Sequence, residues 1–134
     1  MVAVCNKNVI DGMIADLIQN DYEESDIELF IEDFGIDNFY LYFEDYADAV
    51  NLYGYDAVDT FVREYGIENV GTFEQRYMGF HESFLDFSVN YFNRHYGYMV
   101  DNVVFNYVDY EKFSNDLEYS FDYVYGYVFA KYPN

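Results

Sequence analysis

The spacing of hydrophobic and polar positions predicts amphipathic helices in several parts of the chain. In 55–65, Val58, Phe61 and Val62 fall on one helical face, and the charged residues fall on the opposite face. Residues 9–20 repeat this pattern with Val, Ile, Met and Leu. Helices are also predicted over 44–53, 72–78 and 109–118, and a longer one over 81–95. We therefore expect helices through the middle of the chain, each with one buried face.

Three stretches favour strands, because they are short and rich in aromatic and β-branched residues. Residues 27–32 (IELFIE) and 39–43 (FYLYF) are predicted strands, separated by a turn at 35–38. Residues 121–130 predict a hairpin around Gly126. The stretch 98–108 fits a helix and a strand equally well.

These elements predict an α+β protein that is elongated and built from small lobes. Its middle would be helical, and short antiparallel strands would lie near both ends. The expected lobes are an N-terminal α/β lobe over 1–43, a central helical lobe over 44–80 and a C-terminal α+β lobe over 81–134.

Charge adds the most to this interpretation. The chain has 26 Asp and Glu against 6 Lys and Arg, a net charge of −20 on 134 residues. The acids are interleaved with 14 Phe and 18 Tyr, whereas disordered acidic segments contain few aromatic residues. We therefore expect a folded core with a charged surface. Residues 1–67 have a net charge of −14 and residues 68–134 a net charge of −6.

Several acids lie three or four positions apart within predicted helices, as in Glu44/Asp48, Asp45/Asp48 and Asp56/Asp59. Such like-charged pairs destabilise a helix by about 0.2–0.5 kcal/mol each. A carboxylate on each helical turn approaches the charge density of DNA, where one strand has a phosphate every ~3.4 Å. An ordinary solvated acidic face is the plainer explanation of the same pattern.

The sequence contains no pattern typical of an enzyme or a metal site. Phosphate-binding, zinc-protease and nucleophile-elbow motifs are absent, and Glu111 and Lys112 are adjacent rather than spaced as in nuclease sites. Cys5 is the single cysteine, and His81 and His95 are the two histidines. We therefore expect no catalytic residues, no metal and no cofactor.

The charge also limits the possible partners. A net charge of −20 disfavours direct binding to nucleic acid or to anionic membranes, and it favours a basic partner. The apolar runs are shorter than the ~20 residues that a membrane-spanning helix needs. The N-terminal sequence lacks the apolar core of a signal peptide, so we expect a cytoplasmic protein.

Two segments resemble the ArdA-type antirestriction family. Residues 70–79, VGTFEQRYMG, are similar to the family's F-x-x-x-Y-x-G segment. Residues 107–117, YVDYEKFSNDL, are similar to its Y-x-D-Y-E-x-F-A-R-D-L segment, and residues 126–129, GYVF, match its aromatic ending. Asn115 stands where the family has a basic residue.

The resemblance implies a dimeric DNA mimic, encoded by a phage or mobile element, that evades host defence. Such a protein occupies the DNA-binding groove of the methylase and specificity subunits of a type I restriction-modification enzyme. Relative to the family, we expect a shortened N-terminal lobe, and the host cytoplasm is the expected compartment. The acids expected to imitate phosphates are Asp21, Glu23, Glu24, Asp26, Glu28, Glu32, Asp33, Glu44, Asp45, Asp48, Asp56, Asp59, Glu64, Glu74, Glu82, Asp86, Asp109, Glu111, Asp116 and Glu118.

Two alternative functions stay open at this point. The mimic could act on another defence complex with a basic DNA-binding channel, such as a CRISPR effector. The chain could also be an acidic structural or adaptor domain without mimicry, for which an equally acidic source proteome would be the sign.

Overall fold

The structure is a computed structural model that describes residues 7–133. Its chain forms two compact units, one that ends at Phe73 and one that begins at Glu74. The predicted lobe boundary after residue 43 falls inside a helix, and the boundary after residue 80 falls between a strand and a helix.

The first unit consists of four α-helices followed by a 3₁₀ helix, within the described residues. They are α1 (Lys7–Gln19), α2 (Glu24–Phe34), α3 (Ile36–Tyr53), α4 (Tyr55–Tyr65) and the 3₁₀ helix Ile67–Thr72. A glycine with positive φ separates α2 from α3 and α3 from α4, with φ of 91° at Gly35 and 93° at Gly54. Residues with a side chain rarely adopt this conformation, so glycine allows the sharp break between successive helices.

Aromatic and aliphatic residues from three helices make the core of this unit. Phe39 of α3 and Phe61 of α4 are fully buried, as is Val58 one turn before Phe61. Phe73, at the end of the unit, contacts Phe61 edge to face with ring centroids 5.2 Å apart. The helices therefore have a common, mainly aromatic core.

The predicted strands at 27–32 and 39–43 are wrong, because both stretches are helical. Ile27, Phe30, Ile31 and Phe34 recur at helical spacing, and Ile27 and Phe30 are buried. This 3.6-residue period outweighs the β-propensity of the individual residues. The predicted turn at 35–38 reduces to Gly35, since α3 already begins at Ile36.

The second unit is a three-stranded sheet with helices. After the single-turn helix α5 (Phe73–Arg76), the elements are β1 (Tyr77–Phe80), α6 (Phe84–Tyr96), the 3₁₀ helix Gly97–Met99, α7 (Asn102–Phe105), α8 (Tyr110–Leu117), β2 (Phe121–Val124) and β3 (Tyr127–Ala130). The hydroxyl oxygens of Ser88 on α6 and Ser114 on α8 lie 2.9 Å apart and are buried. These two helices therefore pack together through a satisfied polar contact as well as aromatic rings.

The antiparallel sheet has the order β1-β3-β2, so β3 is its central strand. Tyr125 and Gly126 both have positive φ, of 50° and 90°, as a type I′ hairpin turn requires. A Cβ on Gly126 would also overlap the ring of Phe80. The buried Arg76 donates to the carbonyl oxygens of Ala130 and Lys131 at 2.8 and 2.7 Å, which fixes the end of β3.

The predicted α+β class is confirmed, with strands near the C-terminal end rather than near both ends. The helix at 55–65 and the hairpin around Gly126 are confirmed within their predicted limits. Residues 9–20 lie largely in α1, although Val9 and Ile18 are exposed and only part of the predicted stripe is buried. The ambiguous stretch 98–108 contains short helical turns.

The remaining helix predictions are correct in type but not in length. Residues 44–53 are the second half of α3, residues 81–95 cover α6 except its last residue, and residues 109–118 contain α8. Residues 72–78 contain the end of the 3₁₀ helix, α5 and the start of β1, so the predicted helix there is wrong only at 77–78.

Candidate acidic surface

Nearly every carboxylate of the chain lies on the surface. All 26 acids lie between Asp11 and Asp122, and each is exposed except Asp59 and Asp122, which are half-buried. These two are ion-paired, Asp59 with Arg63 at 3.0 Å and Asp122 with Lys131 at 3.3 Å. The predicted phosphate-imitating acids are therefore on the surface, with Asp59 partly covered and paired.

Basic residues do little to offset this charge in the first unit. Residues 8–62 contain fifteen acids and no Lys or Arg. The whole unit has a net charge of −15, against −5 for the second unit. Its Arg63 donates from Nε to Asp59 Oδ2, and this hydrogen bond and the charge of Asp59 raise the pKa of the guanidinium.

Helix α2 carries the densest set of acids. Glu24, Glu28 and Glu32 follow one another at intervals of four residues and form a single ridge, hereafter the α2 ridge. Asp26 and Asp33 lie on the same helix. The eleven residues span about 16 Å, so five acids give one charge per ~3.3 Å, against ~3.4 Å for phosphates along one DNA strand.

Helices α3 and α4 add acids at a lower density. On α3, Glu44 and Asp48 are one turn apart, with Asp45 beside them. The hydroxyl of Tyr22 donates to Asp48 Oδ1 over 3.4 Å. Burial and the nearby Asp48 carboxylate raise the pKa of Tyr22, so its proton is retained. On α4, Asp56 and Glu64 are exposed.

The other predicted acids belong to the second unit, where some have structural functions. They are Glu74, Glu82, Asp86, Asp109, Glu111, Asp116 and Glu118. Asp109 is the N-cap of α8, since its carboxylate accepts from the backbone N–H of Lys112 at 3.0 Å. Its charge is therefore used in part to stabilise the start of the helix.

A groove between α2 and α3 is the main feature that sequence analysis missed. Its volume is about 760 Å³, and among the residues that the structure describes no Lys or Arg lines it. Its rim acids, a set that we call the groove rim, are Asp21, Glu23, Asp26, Asp33 and Asp48. Its aromatic lining consists of Tyr22, Phe30, Phe34, Phe43, Tyr46 and Tyr55, and the first five of these are hereafter the groove floor.

The groove floor is one connected aromatic cluster. The ring of Phe30 lies 4.8 Å from that of Phe34, 5.3 Å from that of Phe43 and 5.1 Å from that of Tyr46. Burial is the largest cause of a rise in the pKa of Tyr46 to about 12, with smaller contributions from Tyr55, Asp59 and Asp33. The cluster is therefore uncharged at neutral pH. The signal in the sequence was the four-residue spacing of Phe30/Phe34 and Phe39/Phe43.

The described residues contain no group of three or more His, Cys, Asp or Glu arranged to hold a metal ion. His81 Nε2 lies 2.9 Å from the carbonyl oxygen of Met78, and the His95 ring packs on Tyr91. Cys5 lies outside the described residues. Within 7–133, no helix combines the length and the apolar character needed to cross a membrane.

Comparisons with protein-family models, with curated protein sequences and with solved structures found no match to this chain. Of the segments that resemble ArdA-type proteins, 70–79 begins in the last residues of the first unit, and 107–117 and 126–129 lie in the second unit. Residues 73–79 form α5 and most of β1, and residues 107–117 lead into and form α8. Membership of that family stays a prediction from these residues.

Proposed function

We propose that this protein is an acidic DNA mimic that inhibits type I restriction-modification enzymes by occupying their DNA-binding groove. The observation that supports the proposal most is the α2 ridge, together with the absence of any Lys or Arg from residues 8–62. Counted over all its faces, α2 has one charge per ~3.3 Å, about the axial charge density of one DNA strand, and the α2 ridge alone has one charge per ~6 Å.

The fold holds these charges in fixed places. On the side of α2 away from the ridge, Ile27 and Phe30 are buried, and Phe30 packs on Phe43 of α3. Carboxylates on an anchored helix lose less conformational entropy on binding than those of a flexible tail. Rigid placement therefore favours affinity for a groove of matching shape.

Two of the five acids of α2 lie where they oppose helix stability, whereas Glu24 and Asp26 lie in the first turn, where the helix dipole favours them. Glu32 and Asp33 occupy the last turn of α2, which contains no basic residue. The negative end of the helix dipole disfavours anions there by about 0.3–1 kcal/mol. Acids in such positions destabilise the isolated protein, which is consistent with selection for an interaction rather than for stability.

The proposed partner is the methylase and specificity subunits, whose DNA-binding surface is basic. Association would be fast and would weaken as salt is added, since long-range attraction steers the encounter. A homodimer, which the ArdA resemblance implies, would carry −40, equal to about twenty base pairs at two charges per pair. The host cytoplasm is the compartment in which this partner acts.

Inhibition of DNA methylation by a purified type I enzyme tests the proposal. Wild-type protein should inhibit, and Glu24→Gln, Glu28→Gln and Glu32→Gln should weaken inhibition progressively as they are combined. The matched control combines Glu111→Gln, Asp116→Asn and Glu118→Gln, exposed acids of the second unit, with the same change of charge. Because the first unit carries most of the charge, this control should have the smaller effect.

Absence of inhibition by the wild-type protein at a large molar excess would refute the proposal. Complete loss of function from one neutral substitution would point instead to a catalytic or metal-binding carboxylate. If the two triple variants lose inhibition to the same extent, our inference that the first unit contributes most of the inhibition is wrong.

A further inference from the structure

The groove between α2 and α3 has a chemistry that imitation of phosphates alone does not use. We propose that it binds an arginine side chain, with the adjoining backbone, from the basic surface of the partner. The inference deepens the proposed function, because it identifies the kind of partner side chain that docks in the first unit. The groove floor and the groove rim would both contact this side chain.

An aromatic floor favours a flat cation. Phe30 and Phe43 are buried, but Phe34, Tyr22 and Tyr46 remain half-exposed towards the groove. A cation over the face of such a ring gains about 0.5–1 kcal/mol at exposed sites and about 2 kcal/mol when desolvated. Arginine is favoured over lysine because its planar guanidinium stacks on aromatic rings and is more weakly hydrated.

Carboxylates surround this floor from both helices. Asp26 and Asp33 are seven residues apart on α2, so they lie two turns apart on one face of the helix. Asp48 comes from α3, and its Oδ1 accepts from the hydroxyl of Tyr22. A guanidinium offers five N–H donors and can reach a carboxylate while its plane rests on a ring.

Size and charge exclude other occupants. The volume of about 760 Å³ is within the range of about 300–1,000 Å³ that is usual for ligand pockets. It therefore accommodates a short segment that carries an arginine. The described part of the lining has five acids and no base, so it repels phosphates and acidic peptides. An uncharged apolar segment would leave the groove rim without partners and would gain nothing from it.

The test uses the full chain and the blocked peptide Gly-Arg-Gly-Arg-Gly, with Lys and Gln in place of Arg in two further peptides. Binding is followed by NMR through the ring signals of Tyr22, Tyr46 and Tyr55 and through isothermal titration. We expect saturable shifts of these rings with the Arg peptide, weaker binding of the Lys peptide and none of the Gln peptide. All three measurements are made at low ionic strength.

Two double variants of α2 separate the groove from general surface charge. Asp26→Asn with Asp33→Asn removes two acids of the groove rim, and Glu28→Gln with Glu32→Gln removes two acids of the α2 ridge that do not line the groove. All four residues are exposed, so both variants should fold, which circular dichroism checks. We expect the Arg peptide to bind about five- to tenfold more weakly to the first variant and less than about twofold more weakly to the second.

Equal weakening by both variants would overturn the inference, because it would show attraction to the net charge alone. Equal binding of the Arg and Lys peptides, or shifts that spare the three tyrosine rings, would also overturn it. The outcome is separate from that of the proposed function. If the protein inhibits the type I enzyme but does not bind the peptide, only the groove inference is refuted. If it binds the peptide but does not inhibit the enzyme, only the DNA-mimic proposal is refuted.

Discussion

At Glu28, in the middle of the α2 ridge, we expect one substitution to have opposite effects on stability and on binding. It has Glu24 four residues before it and Glu32 four residues after it, and its side chain is exposed. We predict that Glu28→Lys stabilises the isolated protein and weakens its binding to a type I enzyme. The same change would therefore improve the fold and impair the function.

The expected magnitude follows from the two pairs that the substitution changes. A like-charged pair at this spacing costs about 0.2–0.5 kcal/mol, and an opposite pair gains about as much. Glu28→Lys reverses both pairs, so the free energy of unfolding should rise by about 0.8–2 kcal/mol at low ionic strength. Glu28→Gln removes the repulsion alone and should give about half of that gain. The three residue types have nearly equal helix propensities, so propensity adds little.

Urea denaturation followed by circular dichroism measures these changes, because urea leaves the ionic strength unaltered. The same curves at about 1 M salt, where the Debye length is about 3 Å, should show most of the gain removed. If the Gln variant is no more stable than the wild-type protein at low salt, the repulsion along the α2 ridge is not what we infer. A gain that persists unchanged at high salt would contradict the electrostatic reasoning as well.

Three further predictions concern the fold. Added salt should raise the free energy of unfolding of the wild-type protein, because it screens repulsion in the first unit; a thermal midpoint that falls or stays constant would contradict this. The pKa of Tyr46 is raised from 10.0 to about 12, so its neutral form contributes stability that is complete below pH 10 and is lost as pH rises towards 12. Tyr46→Phe should lose less stability over this window in urea titrations. Gly126→Ala should cost about 1–3 kcal/mol because of its positive φ, whereas Gly12→Ala inside α1 should stabilise by up to about 1 kcal/mol; equal midpoints of unfolding would refute this account of the hairpin.

Sequence predicted an element best where one period was unambiguous. Helix α4 is correct because Val58, Phe61 and Val62 fit a helix and no alternation competes with them. Residues 39–43 failed because the window is too short to separate a period of two from one of 3.6 when nearly every residue is aromatic. Extending that window to Tyr46 shows the helical spacing. Strand β1 has four residues, including Gly79, and is fixed by pairing with β3, which local sequence does not contain.

Sequence also predicted one part of the candidate site, the exposed acids, and did not predict another, the groove. Exposure of the acids followed from composition, because a core made of Phe and Tyr leaves carboxylates on the surface. The groove did not follow, since it exists only when α2 and α3 pack with Phe30 against Phe43. The structural use of Asp109 and Asp59 likewise depends on local geometry, as a helix cap in one case and as the partner of Arg63 in the other.

Displacement of duplex DNA from a type I methylase tests the central claim most directly. A fluorescently labelled duplex bound to the enzyme is titrated with this protein at low ionic strength, and the anisotropy of the label is recorded. Our account predicts release of the duplex at near-stoichiometric amounts of protein, with more protein needed as salt is added. A duplex that stays bound at a large molar excess of folded protein would contradict it.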